Sequence, residues 1–155
     1  MRVKLLVVGV PKNTHVRALA KDYLQRLARY ANVDATYVKE ERRSDPPSTR
    51  TPTRQERRLL ERLTGRDFVV VLDAAGRMMT SPELAQFLAA RANSPASATV
   101  FIIGGPEGLG PHLKERADLM LSLSPMTFPH ELCLVVVLEQ LYRAFTILKG
   151  EPYHK

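Results

Sequence analysis

Val3-Lys4-Leu5-Leu6-Val7-Val8-Gly9, followed by Thr14 to Tyr30, is the stretch on which the fold turns. The first segment is a continuous β-branched and leucine run closed by a glycine, the pattern of a strand buried on both faces. In the second, Val16, Leu19, Ala20, Tyr23, Leu24, Leu27 and Tyr30 recur at spacings of three and four with Lys and Arg between them, which makes one apolar stripe on a helix. A doubly covered strand feeding an amphipathic helix is the opening unit of an α/β sheet.

The alternation continues outward. Val33 to Val38 reads as a strand, and Lys39 to Thr53, polar and aperiodic with three prolines, reads as a loop. Thr53 and Glu56 form a T-x-x-E capping box that opens a helix to about Leu63, with Gly65 just past its end. Phe68 to Leu72 is a third strand, and Ser81-Pro82 is an N-cap and first-turn pair for a helix striped by Leu84, Phe87 and Leu88. A fourth strand at Thr99 to Ile103, a short helix at Pro111 to Arg116, a fifth strand at Leu119 to Leu123 and a long helix from about Pro129 to Leu148 complete the chain. This order predicts a mostly parallel sheet with helices on both faces, and 155 residues (17.4 kDa) are enough for one domain over residues 1–155 and hardly for two.

Hydrophobic residues at 45% and charged residues at 25% exclude wholesale disorder, a collagen-like repeat and a disulfide scaffold. The 23 Lys and Arg against 16 Asp and Glu give a formal charge of +7, which favours a polyanionic partner, nucleic acid first. One cysteine, Cys133, inside an apolar run fits a reducing cytoplasm. The apolar stretch Leu5 to Val10 is too short for a signal-peptide core, and Leu132 to Leu138 falls far short of the roughly 20 residues needed to cross a bilayer, so no membrane association is expected.

In a parallel sheet, ligands bind beyond the carboxyl ends of the strands. The loops Asp73-Ala74-Ala75-Gly76, Gly104-Gly105-Pro106-Glu107-Gly108 and Ser124-Pro125-Met126-Thr127-Phe128 follow strands three to five, and they form one pocket if those strands are neighbours. Gly104 and Gly105 either let backbone approach a cofactor or simply make a tight turn. The loop matches neither the P-loop nor the G-x-G-x-x-G fingerprint. Asp73 is a catalytic candidate or a turn residue. His15, His112, His130 and His154 share no helical metal-ligand spacing, so no metal is expected, and no G-x-S-x-G elbow supports hydrolysis.

From Lys39 to Arg66, nine basic residues face five acidic ones, either as a solvated helix face with a loop or as a surface that meets phosphates. The segment lacks interleaved aromatics, so folded RNA read by shape fits it better than a single strand. The last helix carries Leu132, Cys133, Leu134, Val135, Val136, Val137, Leu138 and Leu141 nearly all round, which points to a second covering surface from another subunit and hence a homodimer. Glu139 and Arg143 are an i, i+4 pair in the favourable order, an ordinary helix-surface ion pair on spacing alone.

Four motifs go further: Phe101-Ile102-Ile103-Gly104-Gly105-Pro106-Glu107-Gly108-Leu109, Leu121-Ser122-Leu123-Ser124-Pro125-Met126-Thr127-Phe128-Pro129-His130, Glu139-Gln140-Leu141-Tyr142-Arg143-Ala144 and Gly150-Glu151-Pro152-Tyr153-His154-Lys155. In order and spacing they closely resemble the RlmH family of SPOUT-class RNA methyltransferases, over essentially the full chain. The resemblance implies an α/β SPOUT fold with a C-terminal trefoil knot, which general topology rules argue against. It also implies an obligate homodimer, S-adenosyl-L-methionine as methyl donor, and methylation of N3 of a pseudouridine in 23S rRNA, with an assembled ribosome as the expected target. Carried over by motif, Leu72, Gly104, Gly105, Leu123, Ser124, Pro125, Met126, Thr127 and Phe128 would hold the cofactor, largely through backbone groups. Arg143, Tyr153 and His154 would meet the substrate base, completing a pocket across the dimer interface.

On that resemblance the protein has to align the donor with N3 and help remove the N3 proton. His154 or a nearby water would take the proton, Arg143 would stabilise charge on the flanking carbonyl oxygens, and Tyr153 would stack on or hydrogen-bond the base. The chain departs from the family at Leu134, where an arginine is usual, and in the proline-rich segment Asp45 to Pro52. Leu134 is the sequence support for a second reading, a non-catalytic RNA-binding or ribosome-assembly factor. A third is a SPOUT methyltransferase acting on another RNA such as tRNA.

Overall fold

In a computed structural model that describes residues 1–42 and 50–155, the ten expected elements are present in the expected order. They are β1 (Arg2–Val8), α1 (Thr14–Leu27), β2 (Asn32–Val38), α2 (Arg54–Leu60), β3 (Phe68–Met78), α3 (Ser81–Ala92), β4 (Thr99–Ile103), α4 (Pro111–Arg116), β5 (Leu119–Ser122) and α5 (His130–Leu148). Residues 43–49, within the loop expected over Lys39 to Thr53 and including most of the proline-rich segment, lie outside the described residues.

The five strands form one sheet in the order β2-β1-β4-β3-β5, and every pairing is parallel. Alternation along each strand splits the core into two layers. Val3, Leu5, Val7, Val70, Phe101 and Ile103 pack against Ala20 and Leu27 of α1, Leu84 and Leu88 of α3, and Leu134, Leu138 and Leu141 of α5. Leu6, Val8, Val69, Val71, Val100 and Ile102 pack with Leu59 of α2 and Leu113 of α4. Coverage on both faces is why β4 is buried at all five positions and reads as an unbroken apolar run.

Three local readings are corrected by contacts. The N-cap of α3 is Thr80, not Ser81: Thr80 Oγ1 accepts from the Glu83 amide at 3.3 Å while Glu83 Oε2 accepts from the Thr80 amide at 2.7 Å. Only the 80/83 spacing places a carboxylate at the third helical position, since a cap at Ser81 would put Leu84 there. The second helix stops at Leu60 rather than near Leu63, and Gly65 lies beyond it in a turn. Strand β3 does not end at Leu72 but resumes and runs to Met78, with Leu72 and Arg77 both aligned to Leu121 and residues 73–76 set out of the ladder between them. Gly76 permits this, because a Cβ there would sit 2.7 Å from the carbonyl carbon and oxygen of Met120.

The cysteine-bearing helix α5 is flanked by α1 and α3 as well as by the sheet. Much of its all-round apolar character is therefore satisfied inside one chain, and its sequence alone does not demand a second subunit. Leu132 remains 43% exposed at its start.

Candidate active site

Strand β3 lies between β4 and β5, so the segments after β4 and β5 and the 73–76 excursion within β3 come from neighbouring strands, where a parallel sheet binds ligands. Each segment has its own local cause. Asp73 Oδ1 accepts from the Ala75 amide at 2.9 Å and Oδ2 meets Lys114 Nζ at 2.6 Å, so Asp73 is a turn residue tied to α4. The Lys114 ammonium, then the Ala75 amide, holds its carboxyl below the ordinary 3.8. In the last segment, Ser122 Oγ donates to the Ser124 carbonyl at 3.0 Å, and Ser124 Oγ accepts from the Met126 amide at 3.0 Å. These bonds shape a ledge on which Met126 stands 74% exposed, an apolar side chain with no core to fill.

The glycine loop is packed on itself. A Cβ at Gly104 would meet Leu109 Cγ at 2.9 Å, one at Gly105 would meet Val8 Cγ1 at 3.0 Å, and Gly108 N donates to the Gly105 carbonyl at 3.0 Å. The tight-turn reading thus accounts for both glycines without a ligand. Beside the loop, a cleft of about 480 Å³ lies between Gly105 to Gly110 and the start of α2; Leu72 and Leu123 to Phe128 are not among its walls. Its anchor is Glu56, 2% exposed, which accepts from the Thr53 amide at 2.8 Å and the His112 amide at 3.0 Å. Gly110 has no room for a Cβ against that carboxylate. The capping box signalled Glu56 in the sequence, but its reach across to α4 was not visible there.

The second group of candidates gathers at the far end of α5. The helix closes in a Schellman motif: Gly150 adopts φ +67°, its amide donates to the Ile147 carbonyl at 3.0 Å, and the Glu151 amide donates to the Thr146 carbonyl at 2.9 Å. This reversal lays the tail back along the helix. Tyr153 Oη donates to Glu139 Oε1 at 3.1 Å, and the Arg143 guanidinium, held to the same oxygen through Nε at 3.0 Å and through Nη2, lies 4.8 Å from the Tyr153 ring centroid. Gln140 Nε2 donates to Glu139 Oε2 at 2.7 Å. Burial, and then hydrogen bonding that includes Glu139, pushes the Tyr153 phenol above its usual range, while the Glu139 carboxylate raises Arg143.

Tyr30 secures the same tail. Its hydroxyl donates to Glu151 Oε2 at 2.6 Å, and that bond, with burial second, pushes it up to about 12. Its ring stacks on Phe145 at 6.0 Å and meets Tyr142 edge-on at 5.9 Å, and Tyr142 meets Tyr153 at 4.8 Å. His154 itself is exposed. The structure therefore joins Arg143 to Tyr153, through Glu139, and leaves His154 facing solvent. Sequence reasoning saw Glu139 as half of an ion pair and missed its second partner; Tyr30 carried no signal beyond its place in the α1 stripe.

Among the described residues, no hydrogen bond, ion pair or ring contact joins the two groups. Arg143 is thirteen residues beyond His130, where α5 leaves the Leu123–Phe128 ledge, which at about 1.5 Å per residue is about 20 Å along the helix. Leu134, fully buried in the core, belongs to neither group. Among the described residues, no group of three or more His, Cys, Asp or Glu is arranged to hold a metal ion, and no helix is long and apolar enough to cross a membrane.

The whole chain has relatives among known proteins. The profile of a family described as "Predicted SPOUT methyltransferase" matches residues 1–154. The chain is 43% identical over 155 residues to a Gemmatimonas aurantiaca protein named Ribosomal RNA large subunit methyltransferase H, covering 100% of both chains. Proteins of the same name from Gloeobacter violaceus (42% over 154 residues, 99% of each chain) and Clostridium kluyveri (38% over 159 residues, 100% of each chain) are similar to it.

Proposed function

The chain belongs to the SPOUT methyltransferase family, and from that premise we propose that it is a ribosomal RNA methyltransferase that methylates N3 of a pseudouridine in 23S rRNA. The methyl donor in this reading is S-adenosyl-L-methionine, and the working unit is a homodimer in the cytoplasm. The observation that carries the proposal is the full-length kinship with large-subunit rRNA methyltransferases in a chain whose Arg143 and Tyr153 share one carboxylate. The residues present suit the donor: Leu72 stands on β3 just before residues 73–76 leave the ladder, Gly104 and Gly105 follow β4, the ledge Leu123 to Phe128 follows β5, and Met126 offers an exposed apolar contact. When bound, S-adenosyl-L-methionine supplies a methyl carbon made electrophilic by its sulfonium.

The chain's own residues then have two tasks. One is to fix the base: Arg143, its fork already oriented by Glu139, points charge at the carbonyl oxygens that flank N3, and the Tyr153 phenol, kept protonated, donates or stacks. The other is to accept the N3 proton, for which the exposed His154 imidazole, or a water it polarises, is available. Arg143 stands about 20 Å along α5 from the start of the helix beside the ledge, which supports completion of the site by a second chain. The trefoil knot is part of the proposal, and the edge position of β5 beside β3, with α5 returning between α1 and α3, is in keeping with it. A single domain over residues 1–155 is in keeping with a family match to 1–154. Burial of Leu134 removes what favoured a non-catalytic factor.

The test is calorimetric titration with S-adenosyl-L-methionine, light scattering in the same buffer, and then methyl transfer to ribosomes. The expected result is saturable binding by a species of twice the 17.4 kDa chain mass and a methyl group on N3 of a 23S pseudouridine. A folded dimer with no detectable binding would overturn the reaction, and a methylated tRNA would overturn the substrate.

A further inference from the structure

We infer that the outward face of α2 is a docking surface for the phosphate backbone of the RNA, remote from Arg143 and Tyr153; this rests on the rRNA reading above. The helix is amphipathic in an unusual way. Leu59 is fully buried and Glu56 is 2% exposed on one side, while Arg54, Arg57 and Arg58 recur at i, i+3 and i+4 on the other, and the exposed Arg62 follows in the turn just past the helix end. The capping box and the Glu56 bond to α4 fix this platform to the sheet, on the face opposite α5.

Among the described residues, most of that positive charge meets no carboxylate. Glu41 pairs with Arg58 at 2.9 Å and reaches Arg54 only at 4.0 Å, leaving the Arg54 side chain 70% exposed. Arg57 is exposed and makes no ion pair or side-chain hydrogen bond among the described residues. The Arg62 guanidinium turns back to the Arg58 carbonyl at 2.8 Å but meets no carboxylate there. Glu61 is the one exposed acid between Arg54 and Arg62, Glu56 being buried. Planar guanidiniums in a fixed row suit successive phosphates, which bind without reading sequence.

The row also leads somewhere. Arg54 and Arg57 form one wall of the 480 Å³ cleft, and the glycine loop from Gly105 to Gly110 forms the other. Glu40 and Glu41 line the cleft as well. Carboxylates repel phosphate but accept hydrogen bonds from base amino and imino groups and from ribose hydroxyls. The arrangement therefore places phosphates on the helix and a nucleotide's base or sugar toward the loop.

The experiment measures binding to 23S rRNA as a function of salt, together with methyl-transfer kinetics on ribosomes. It compares the wild type with Arg54→Gln/Arg57→Gln/Arg62→Gln, with the matching Lys substitutions, and with Arg17→Gln/Lys21→Gln/Arg29→Gln as a control of equal charge on and just beyond α1. The α2 variant is expected to flatten the slope of log affinity against log salt by about 2, at roughly 0.7 to 0.9 for each phosphate no longer neutralised. Its KM for ribosomes is expected to rise at least tenfold, with kcat within twofold and unchanged affinity for S-adenosyl-L-methionine; the Lys variant should retain the slope. An unchanged slope, or an equal loss in the α1 control, would overturn the inference. So would weakened binding to ribosomes with an intact 23S rRNA slope, which would assign the face to a ribosomal protein. If the wild type transfers no methyl group yet the α2 variant alone loses its salt slope, the docking surface stands and the proposed reaction falls.

Discussion

Tyr153, two residues before Lys155, donates to the carboxylate oxygen of Glu139 that also holds Arg143. One acceptor thus orients both a cation on α5 and a phenol on the tail. The tail of a chain usually frays; this one is returned to its helix by Gly150 and held by two tyrosine hydroxyls, those of Tyr30 and Tyr153.

Replacing Glu139 with Gln keeps the volume and removes the charge that orients Arg143. Turnover is expected to fall about ten- to a hundredfold, less than the loss of a donor aimed directly at developing charge, while affinity for S-adenosyl-L-methionine stays within twofold. Single-turnover kinetics beside calorimetry would show this, and unimpaired turnover would remove Glu139 from the positioning role.

Tyr30→Phe deletes the 2.6 Å bond to Glu151 and leaves the stacking on Phe145 in place. Carboxypeptidase should release residues from the tail faster, with little change in thermal midpoint. In a spectrophotometric titration, the variant should lack the tyrosine that ionises at about 12. Because the folded value lies above the ordinary 10, the latch contributes fully below pH 10 and is lost as pH rises toward 12. A variant tail as protected as the wild type's would contradict the latch.

Asp73 works in the opposite direction. Its folded value is depressed by Lys114 and the Ala75 amide, so its stabilisation is complete above the ordinary 3.8 and is lost as pH falls through the lower folded value. Urea unfolding of the wild type and Asp73→Asn should therefore differ at pH 6 and converge in acid. A difference that persists undiminished in acid would assign the effect to packing.

Leu134→Arg, a change toward the residue usual at this place in the resembling family, is expected to destabilise by roughly 4 kcal/mol or more, because it sends a guanidinium into a site with no exposed surface. Leu134→Met, close in volume, should cost less than about 1.5 kcal/mol. Thermal unfolding separates the two, and equal midpoints would show that the side chain reaches solvent or a partner.

The strands, most helix starts and the parallel architecture were legible because they rest on local patterns. Continuous apolar runs mark doubly covered strands, and T-x-x-E marks a cap within four residues. Thr80-Ser81-Pro82-Glu83 is itself a T-x-x-E box, so the cap at Thr80 rather than Ser81 was legible locally and was passed over. Strand β3 ran past Leu72 because β5 supplied partners for Arg77 and Met78, which no local pattern announces. The pairing of Glu139 with Arg143 was visible at helical spacing. Its sharing with Tyr153 was not, since that depends on the tail reversing at Gly150.

By itself, the sequence determined the α/β class, the basic character that points to nucleic acid, and the motifs that resemble the RlmH family. These are properties of composition and short-range spacing, and they need no knowledge of which segments touch. Only the tertiary structure decided that Leu134 is core, that Asp73 is a turn tied to Lys114, that Tyr30 holds Glu151, and that the α2 arginines face outward beside the glycine loop. Each of these pairs residues distant along the chain or chooses one face of an element over another, and packing of the whole chain makes that choice.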